Sequence, residues 1–440
     1  METRMPEILA ESSELVCITG GRILDPDSNR DEIADLWIEN GLILNGRPEQ
    51  RHEKQAVVVD ATGKIVAPGL IDARVYLREP GFEYRETVES GTLAAGSGGF
   101  TSVLCMPDTN PVMDKAEVVR YVNGKAETAH TRVFPVGAAT ENCDGRNLAE
   151  IGDMVDAGVV AVTDPNRTVS DARLMRTVLE YAGMLSIPVI CHCEDSDLAA
   201  EGLMNESYSS TRLGLSGNPN VAEDIILARD IMLAELTECP IHIAHLSTAG
   251  AVALVRDAKA RGVRVSAEVS PYHCVLTDEA LDGYNTSLKL SPPLRSGDDV
   301  LAIREGLRDG TIDAIVSDHA PYAVDEKTVE FAAAPSGSIG TETVLSLVMT
   351  ELLDSGVISM NQVLRLLSLN PARIFGLSGG TLQPGAPADI TLIDSDASWT
   401  VSGEAGYSKS RSTAIQDRKL RGRADTTVLG GQVLQWRAGS

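Results

Sequence analysis

Residues 69–81 read GLIDARVYLREPG. An apolar run from Leu70 gives way to Arg74, Tyr76 and Arg78. That is the form of a short buried strand ending in polar side chains, and the chain repeats it. Counting APGLIDARVYL as the first, the other runs are FTSVLCMPD, TRVFPVG, VVAVTD, IPVICHCED, PIHIAHLS, VRVSAEVS and DAIVSDHA, eight in all. Between them lie helical segments such as RETVESGTLAAG, DARLMRTVLEYAGML, AEDIILARDIMLAEL and GAVALVRDAKARG. Eight strand–helix units predict an α/β chain built on a (β/α)8 barrel. Polar groups close the runs: Arg74, Tyr76 and Arg78, then Asp108 and Asn110, Asp164, His192, His245, His273, and Asp318 with His319. In this fold the loops after the strands build the active site, so these side chains are expected at one mouth.

The two ends of the chain read differently. LVCITGGRILDPDSN, DLWIENGLI and AVVVDATGK at the start, and GTLQPGAPADITLID and TTVLGGQVLQW near the end, are short strands broken by turn residues. The Gly-Gly, Asp-Pro-Asp and Asn-Gly steps suit hairpins. Both ends are expected to join in one small β-sandwich, residues 1–65 plus 377–440, around a barrel of residues 66–376.

The 440 residues are 43% hydrophobic and 23% charged, a soluble globular composition that supports a sizeable core. Aromatics are only 4%, so that core should be Ala, Val, Leu and Ile. The formal net charge of −25 repels phosphate backbones and anionic membranes, so neither nucleic acid nor membrane is an expected partner. Seven scattered cysteines, an acidic start without a long apolar run and no span near about 20 apolar residues predict a cytoplasmic chain with unpaired thiols.

Each of the seven histidines has its own context. His52 and His130 sit in polar, loop-like surroundings and are expected to be solvated. His242 alternates with Ile241 and Ile243 and is expected to face away from the barrel interior. His273 reads as a loop residue, and His319 as a capping or packing one. His192 and His245 end the fifth and sixth runs, where a satisfied polar histidine and a metal ligand are both open readings. With Asp318 they form a set of imidazoles and a carboxylate suited to zinc. Such a metal brings the pKa of bound water toward about 7 and makes a hydroxide nucleophile, with Asp318 as the proton carrier. Cys191 and Cys193 alternate with His192 and should pack on the other side of the strand.

Across nearly its whole length the chain resembles the dihydroorotase family of cyclic amidohydrolases. The resemblance is carried by LREPGFEYRETVESGT, CMPDTNP, CHCED, SPPLR, SDHAP and NPARIFGL. It implies a distorted barrel plus a small β-sandwich from both termini, and interconversion of N-carbamoyl-L-aspartate and dihydroorotate at a zinc site. It implies substrate-carboxylate binding for Arg78, whose planar fork suits a bidentate contact, and for Asn110. It implies metal ligation for His192 and His245, and a catalytic and ligating role for Asp318.

The chain departs from the family pattern at the metal. The family's His-x-His pair is Arg74 and Tyr76 here. Its Asp-Asp-Gly is Asp164-Pro165-Asn166, which lacks one acidic residue and places Pro165 in the gap. Ser291 begins the SPPLR motif, Tyr322 replaces a substrate-side histidine, and Pro335-Ser336-Gly337 replaces Pro-Phe-Gly. Arg74 cannot ligate a cation and repels one nearby, and it is placed to pair with Asp318. His192, His245 and Asp164 then read as a vestigial, unoccupied ligand set, Asp318 as a vestigial catalytic group, and no cofactor is expected. Inactive members of the family serve as scaffolds for aspartate transcarbamoylase. The expectation is therefore a noncatalytic dihydroorotase-like subunit, homo-oligomeric, with that enzyme as partner. The alternative is an active zinc dihydroorotase with a reduced metal site. Hydantoinase- or allantoinase-like activity fits less well, because LREPGFEY points away from it.

Overall fold

The computed structural model describes residues 5–12, 14–48 and 56–436. His52 lies outside the described residues. The eight runs become eight parallel strands: Leu70–Val75, Phe100–Cys105, Arg132–Pro135, Val162–Thr163, Val189–Cys191, Ile241–Ile243, Val265–Val269 and Ala314–Ile315. The first three form one ladder. The third continues after Val136 as Gly137–Ala138, which pairs onward through the remaining five. A parallel bridge between Val75 and His319, with the Tyr76 amide donating to the His319 carbonyl at 3.0 Å, brings the last unit back to the first. The expected (β/α)8 barrel is what the chain forms.

Period-two alternation sorts the side chains of these strands. Ile71, Ala73, Leu104, Met106, Ile190, Ala244 and Val316 meet inside the barrel. Val103, Cys105, Cys191, Cys193, Ile241 and Ile243 face the surrounding helices. Those helices include Val88–Ser97, Ala172–Met184, Asn220–Thr237 and Ala249–Ala260, close to the predicted segments. Cys191 and Cys193 thus pack on the outer side, as the alternation requires. His242 does not follow its expectation. It pairs in register with inward-facing Ile190, its ring meets Phe375 edge-on at 5.2 Å, and it points into the barrel. The two flanking isoleucines are drawn outward by the helices, and alternation then forces the histidine inward.

Strands from both ends of the chain form a single nine-stranded sheet. Its ladder runs from Glu7–Ala10 through Gln432–Gln435, Lys419–Leu429, Ile390–Thr400, Ile65–Pro68, Val16–Asp25 and Arg30–Glu39 to Leu42–Ile43, with Val57–Asp60 beside Val16–Asp25. Ala10 and Ile43, at opposite ends of that ladder, share one apolar core, so the sheet curls over itself into the β-layer expected of the two termini. The layer is bonded to the barrel at its bottom. The Gly69 amide donates to the Asp389 carbonyl at 2.8 Å, and the Thr391 hydroxyl donates to the Gly99 carbonyl at 2.6 Å. Residue 69 must be glycine, because a Cβ there would lie 2.1 Å from the Thr101 hydroxyl oxygen.

Candidate active site

The first strand delivers Arg74 into the barrel, where it is almost wholly buried. Its guanidinium is bonded on every side. Nε donates to Asp318 Oδ1 at 3.1 Å, and Nη2 donates to the Tyr76 hydroxyl at 3.1 Å and to the Pro165 carbonyl at 2.6 Å. Nη1 lies 3.9 Å from Glu268 Oε1 and 4.0 Å from the Met106 sulfur. Burial works against its charge, but Tyr76, Asp318 and Glu268 outweigh that and hold its pKa above the ordinary arginine value.

From Arg74 a chain of polar contacts crosses the mouth. The Tyr76 hydroxyl donates to Asn166 Oδ1 at 2.9 Å, the Asn166 amide donates to Asp108 at 3.2 Å, and Arg78 donates to Asp108 at 2.5 Å. Arg78 is also held between two aromatic rings, 4.9 Å from the centroid of Tyr76 and 4.9 Å from that of Tyr322. Both tyrosines stand where the family pattern has histidine. Asn110 meets the Arg78 loop through its amide, which donates to the Pro80 carbonyl at 2.9 Å. Gly81, at φ +97°, lets the two segments close, since a Cβ would sit 2.2 Å from the Asn110 carbonyl oxygen.

The imidazoles of His192 and His245 meet on the far side. His192 Nδ1 and His245 Nε2 are 3.0 Å apart, with the rings edge to face at 4.9 Å. Burial and the nearby Arg74 push the pKa of His192 down to about 3 and that of His245 well below its usual value, so both rings are neutral. Two nitrogens bound to one tetrahedral zinc are about 3.4 Å apart, so this pair is close to ligand geometry.

The other candidate ligands are committed elsewhere. Asp164 is buried and its carboxylate turns away to the third strand's exit, where it accepts from the Ala139 amide at 3.1 Å, the Thr140 amide at 3.0 Å and the Thr140 hydroxyl. Burial raises its pKa against those donors. Asp318 is likewise raised by burial, against the pull of Arg74. Among the described residues no group of three or more His, Cys, Asp or Glu side chains is arranged to hold a metal ion. An open cleft of about 670 Å³ leads to His192, with Arg146, Arg167 and Glu194 on its walls. Its volume is that of a small-molecule site.

Three non-glycine residues of the mouth hold a left-handed backbone: Arg78 at φ 62°, His245 at φ 37° and Asp318 at φ 50°. Each such residue costs on the order of 1–3 kcal/mol and persists only where its surroundings fix it.

The remaining predicted residues fall into place around this site. His319 packs, as expected, with its Nε2 3.3 Å from Glu86 and its Nδ1 accepting from the Gly340 amide at 3.2 Å. His273 is not a loop residue. It lies buried on the short helix Pro271–Val275 with Nε2 3.0 Å from the Pro292 carbonyl oxygen. Ser291 is exposed, and His130 is partly so. Pro335 and Gly337 offer their carbonyls to the Lys327 ammonium at 2.9 Å each. Sequence reasoning missed Glu268. It is buried on the seventh strand, where it contacts His242 Nε2 at 2.9 Å through one oxygen and faces Arg74 with the other. An acidic residue inside the apolar run VRVSAEVS, in the phase that points inward, is the signal that could have found it.

Comparison with known proteins extends these observations. The model of the dihydro-orotase-like family matches residues 63–251. A protein from Pelotomaculum thermopropionicum named dihydroorotase is 51% identical over 417 residues, covering 95% of this chain and 97% of its own length. One from Pelobacter propionicus with the same name is 50% identical over 418 residues, covering 95% and 98%. Among solved structures, an L-hydantoinase from Arthrobacter aurescens superposes with a TM-score of 0.86 at 22% identity, covering 96% of each chain. A dihydropyrimidinase from Brevibacillus agri gives 0.82 at 23%, covering 96% and 95%. At such identities the structures speak for the fold.

Proposed function

This chain belongs to the dihydroorotase family, and from that premise we propose that it is a noncatalytic dihydroorotase-like protein of pyrimidine biosynthesis. One observation carries the reading: the Arg74 guanidinium sits among Asp318, Tyr76, Pro165 and Glu268, where a hydrolytic metal would need donors. A catalytic zinc takes at least three protein ligands and a water. Here two imidazole nitrogens converge, Asp318 is claimed by Arg74, and Asp164 is claimed by Thr140. The residues present do not fit the metal, and a permanent cation beside the vacated position opposes its entry. Arg78, stacked between Tyr76 and Tyr322 and paired with Asp108, and Asn110 beside its loop are the residues we propose to receive a carboxylate.

The partner we propose is aspartate transcarbamoylase, with this chain as a scaffold in a homo-oligomeric assembly. The support is the retained family fold beside the altered mouth. Free thiols at Cys105, Cys143, Cys191, Cys193, Cys239 and Cys274 support a reducing compartment, the cytoplasm, and among the described residues no helix is long and apolar enough to cross a membrane.

Zinc analysis of the purified protein beside a dihydroorotate hydrolysis assay tests this. The expected result is substoichiometric zinc and no turnover. Zinc-dependent turnover in the ordinary range, on the order of 1–1000 per second, would overturn it.

A second reading, an active dihydroorotase with one metal, is favoured by the 3.0 Å approach of His192 Nδ1 and His245 Nε2 and by the names of the half-identical relatives. On that reading His192→Ala abolishes both zinc binding and turnover, and unchanged activity in that variant rules it out.

A further inference from the structure

We propose that a second recess, on the other side of the eighth unit from Asp318, binds a small oxyanion, a carboxylate or a phosphate, with Arg423 as its anchor. The recess lies where the segment after the eighth strand meets the terminal β-layer. Its walls include His319, Thr341, Glu342, Trp399, Ser402 and Arg423.

Arg423 stands on Lys419–Leu429 and stacks its guanidinium over the Trp399 ring, 4.9 Å from the centroid. The ring is itself fixed, since its indole nitrogen donates to the Ser346 hydroxyl at 3.2 Å. Arg423 is half-buried and, among the described residues, forms no ion pair or hydrogen bond through its side chain.

The carboxylates around it have other partners. Glu342 accepts from the amides of Tyr407 and Ser408 at 3.0 and 3.2 Å and from the Ser97 hydroxyl at 3.3 Å. Asp425 is paired with Lys64 at 2.6 Å. Asp394, its neighbour in the ladder, caps the amides of Asp396 and Ala397 at 3.0 Å each. A guanidinium offers five N–H donors in a fixed fork that matches a carboxylate or phosphate. This one is held in place by an aromatic ring, faces a cavity and, among the described residues, hydrogen-bonds to no acid, although the charges of Glu342 and Asp425 act on it. Burial works against its charge and pulls its pKa below the ordinary arginine value, and a bound anion would offset that cost.

Size selects the ligand. The free space is about 50 Å³. A water molecule needs about 10–15 Å³ of such space, so the recess takes a group of about four or five heavy atoms. Acetate and inorganic phosphate are of that size.

The test is titration of the full chain with sodium acetate and, separately, with inorganic phosphate at constant ionic strength set by chloride, read by calorimetry and by thermal shift. Wild-type protein should saturate with one of the two, and the stronger arm identifies the source as carboxylate or phosphate. Arg423→Gln should weaken that binding at least tenfold without changing the melting temperature of the free protein by much. Arg423→Lys, which keeps the charge and loses the fork, should fall between. Arg78→Gln removes any acetate held at the barrel mouth and should leave the Arg423-dependent component of binding unchanged. Absence of saturation with either anion overturns the proposal. So does equal binding by Arg423→Gln, or loss of binding in Arg78→Gln alone.

Discussion

Arg74 determines the chemistry open to the mouth. The position needs more than a positive charge, because its fork must reach Asp318, Tyr76 and Pro165 at once, which an ammonium cannot do. Restoring an imidazole pair is therefore not a matter of one strand. In Arg74→His/Tyr76→His the two new rings would join His192 and His245, but Asp164 would stay bonded to Ala139 and Thr140, and Tyr322 would remain against Arg78. We expect the double variant to gain zinc in metal analysis yet to recover little dihydroorotate turnover. Near-normal rates would show that Asp164 and Tyr322 matter less than their contacts imply. In its metal-free form the variant leaves Asp318 and Glu268 facing each other without a cation, so its stability without zinc should fall by about 3–5 kcal/mol. The identity of residue 74 was legible in the sequence. The acid that balances it, Glu268, was not, because nothing local to VRVSAEVS says which strand it faces.

Strands and their ends explain what could be read and what could not. The eight apolar runs identified every barrel strand, since each must be buried on both faces and is therefore apolar throughout. Side-chain direction was harder. Alternation places Cys191 and Cys193 outside correctly, but the same alternation with Ile241 and Ile243 gives His242 the wrong side, because the helices draw the two isoleucines outward. The barrel was legible but the contacts that close it were not, because they join residues more than two hundred positions apart. Its main polar fastening is Asp72 on the first strand, which accepts from the Ser317 amide at 3.0 Å and from the Arg74 amide at 3.4 Å. Burial raises the Asp72 pKa to about 7. The folded chain therefore keeps this proton up to about pH 7, while the unfolded chain releases it near pH 4. Between those values the folded state binds more protons, so this group makes the protein less stable as pH rises through the window. Asp72→Asn lacks that contribution. Its melting temperature relative to wild type should rise from pH 5 to pH 8, and a constant difference would show that Asp72 does not titrate in this range.

At the scale of the whole molecule, stability and metal content separate. If Arg74 and its partners do the structural work of a bound ion, a chelator has nothing to remove. Melting in the presence of excess EDTA should then match melting without it, whereas a drop of several degrees would reveal a bound ion that stabilises the folded state by mass action. The two parts of the fold are joined by backbone contacts such as Gly69 to Asp389 and by the Thr391 hydroxyl on Gly99. They should melt together in that experiment. The curled sheet has a bearing on biogenesis. Among the described residues Glu7–Ala10 pairs with Gln432–Gln435, and in the layer's interior Val16, Ile18 and Ile38 meet Ile390, Leu392, Val428 and Val433. During translation the apolar faces of Val16–Asp25 and Arg30–Glu39 must wait uncovered until strands about four hundred residues further along are made, and nascent chains that lack Ile390–Thr400 and Lys419–Leu429 are natural clients for a chaperone.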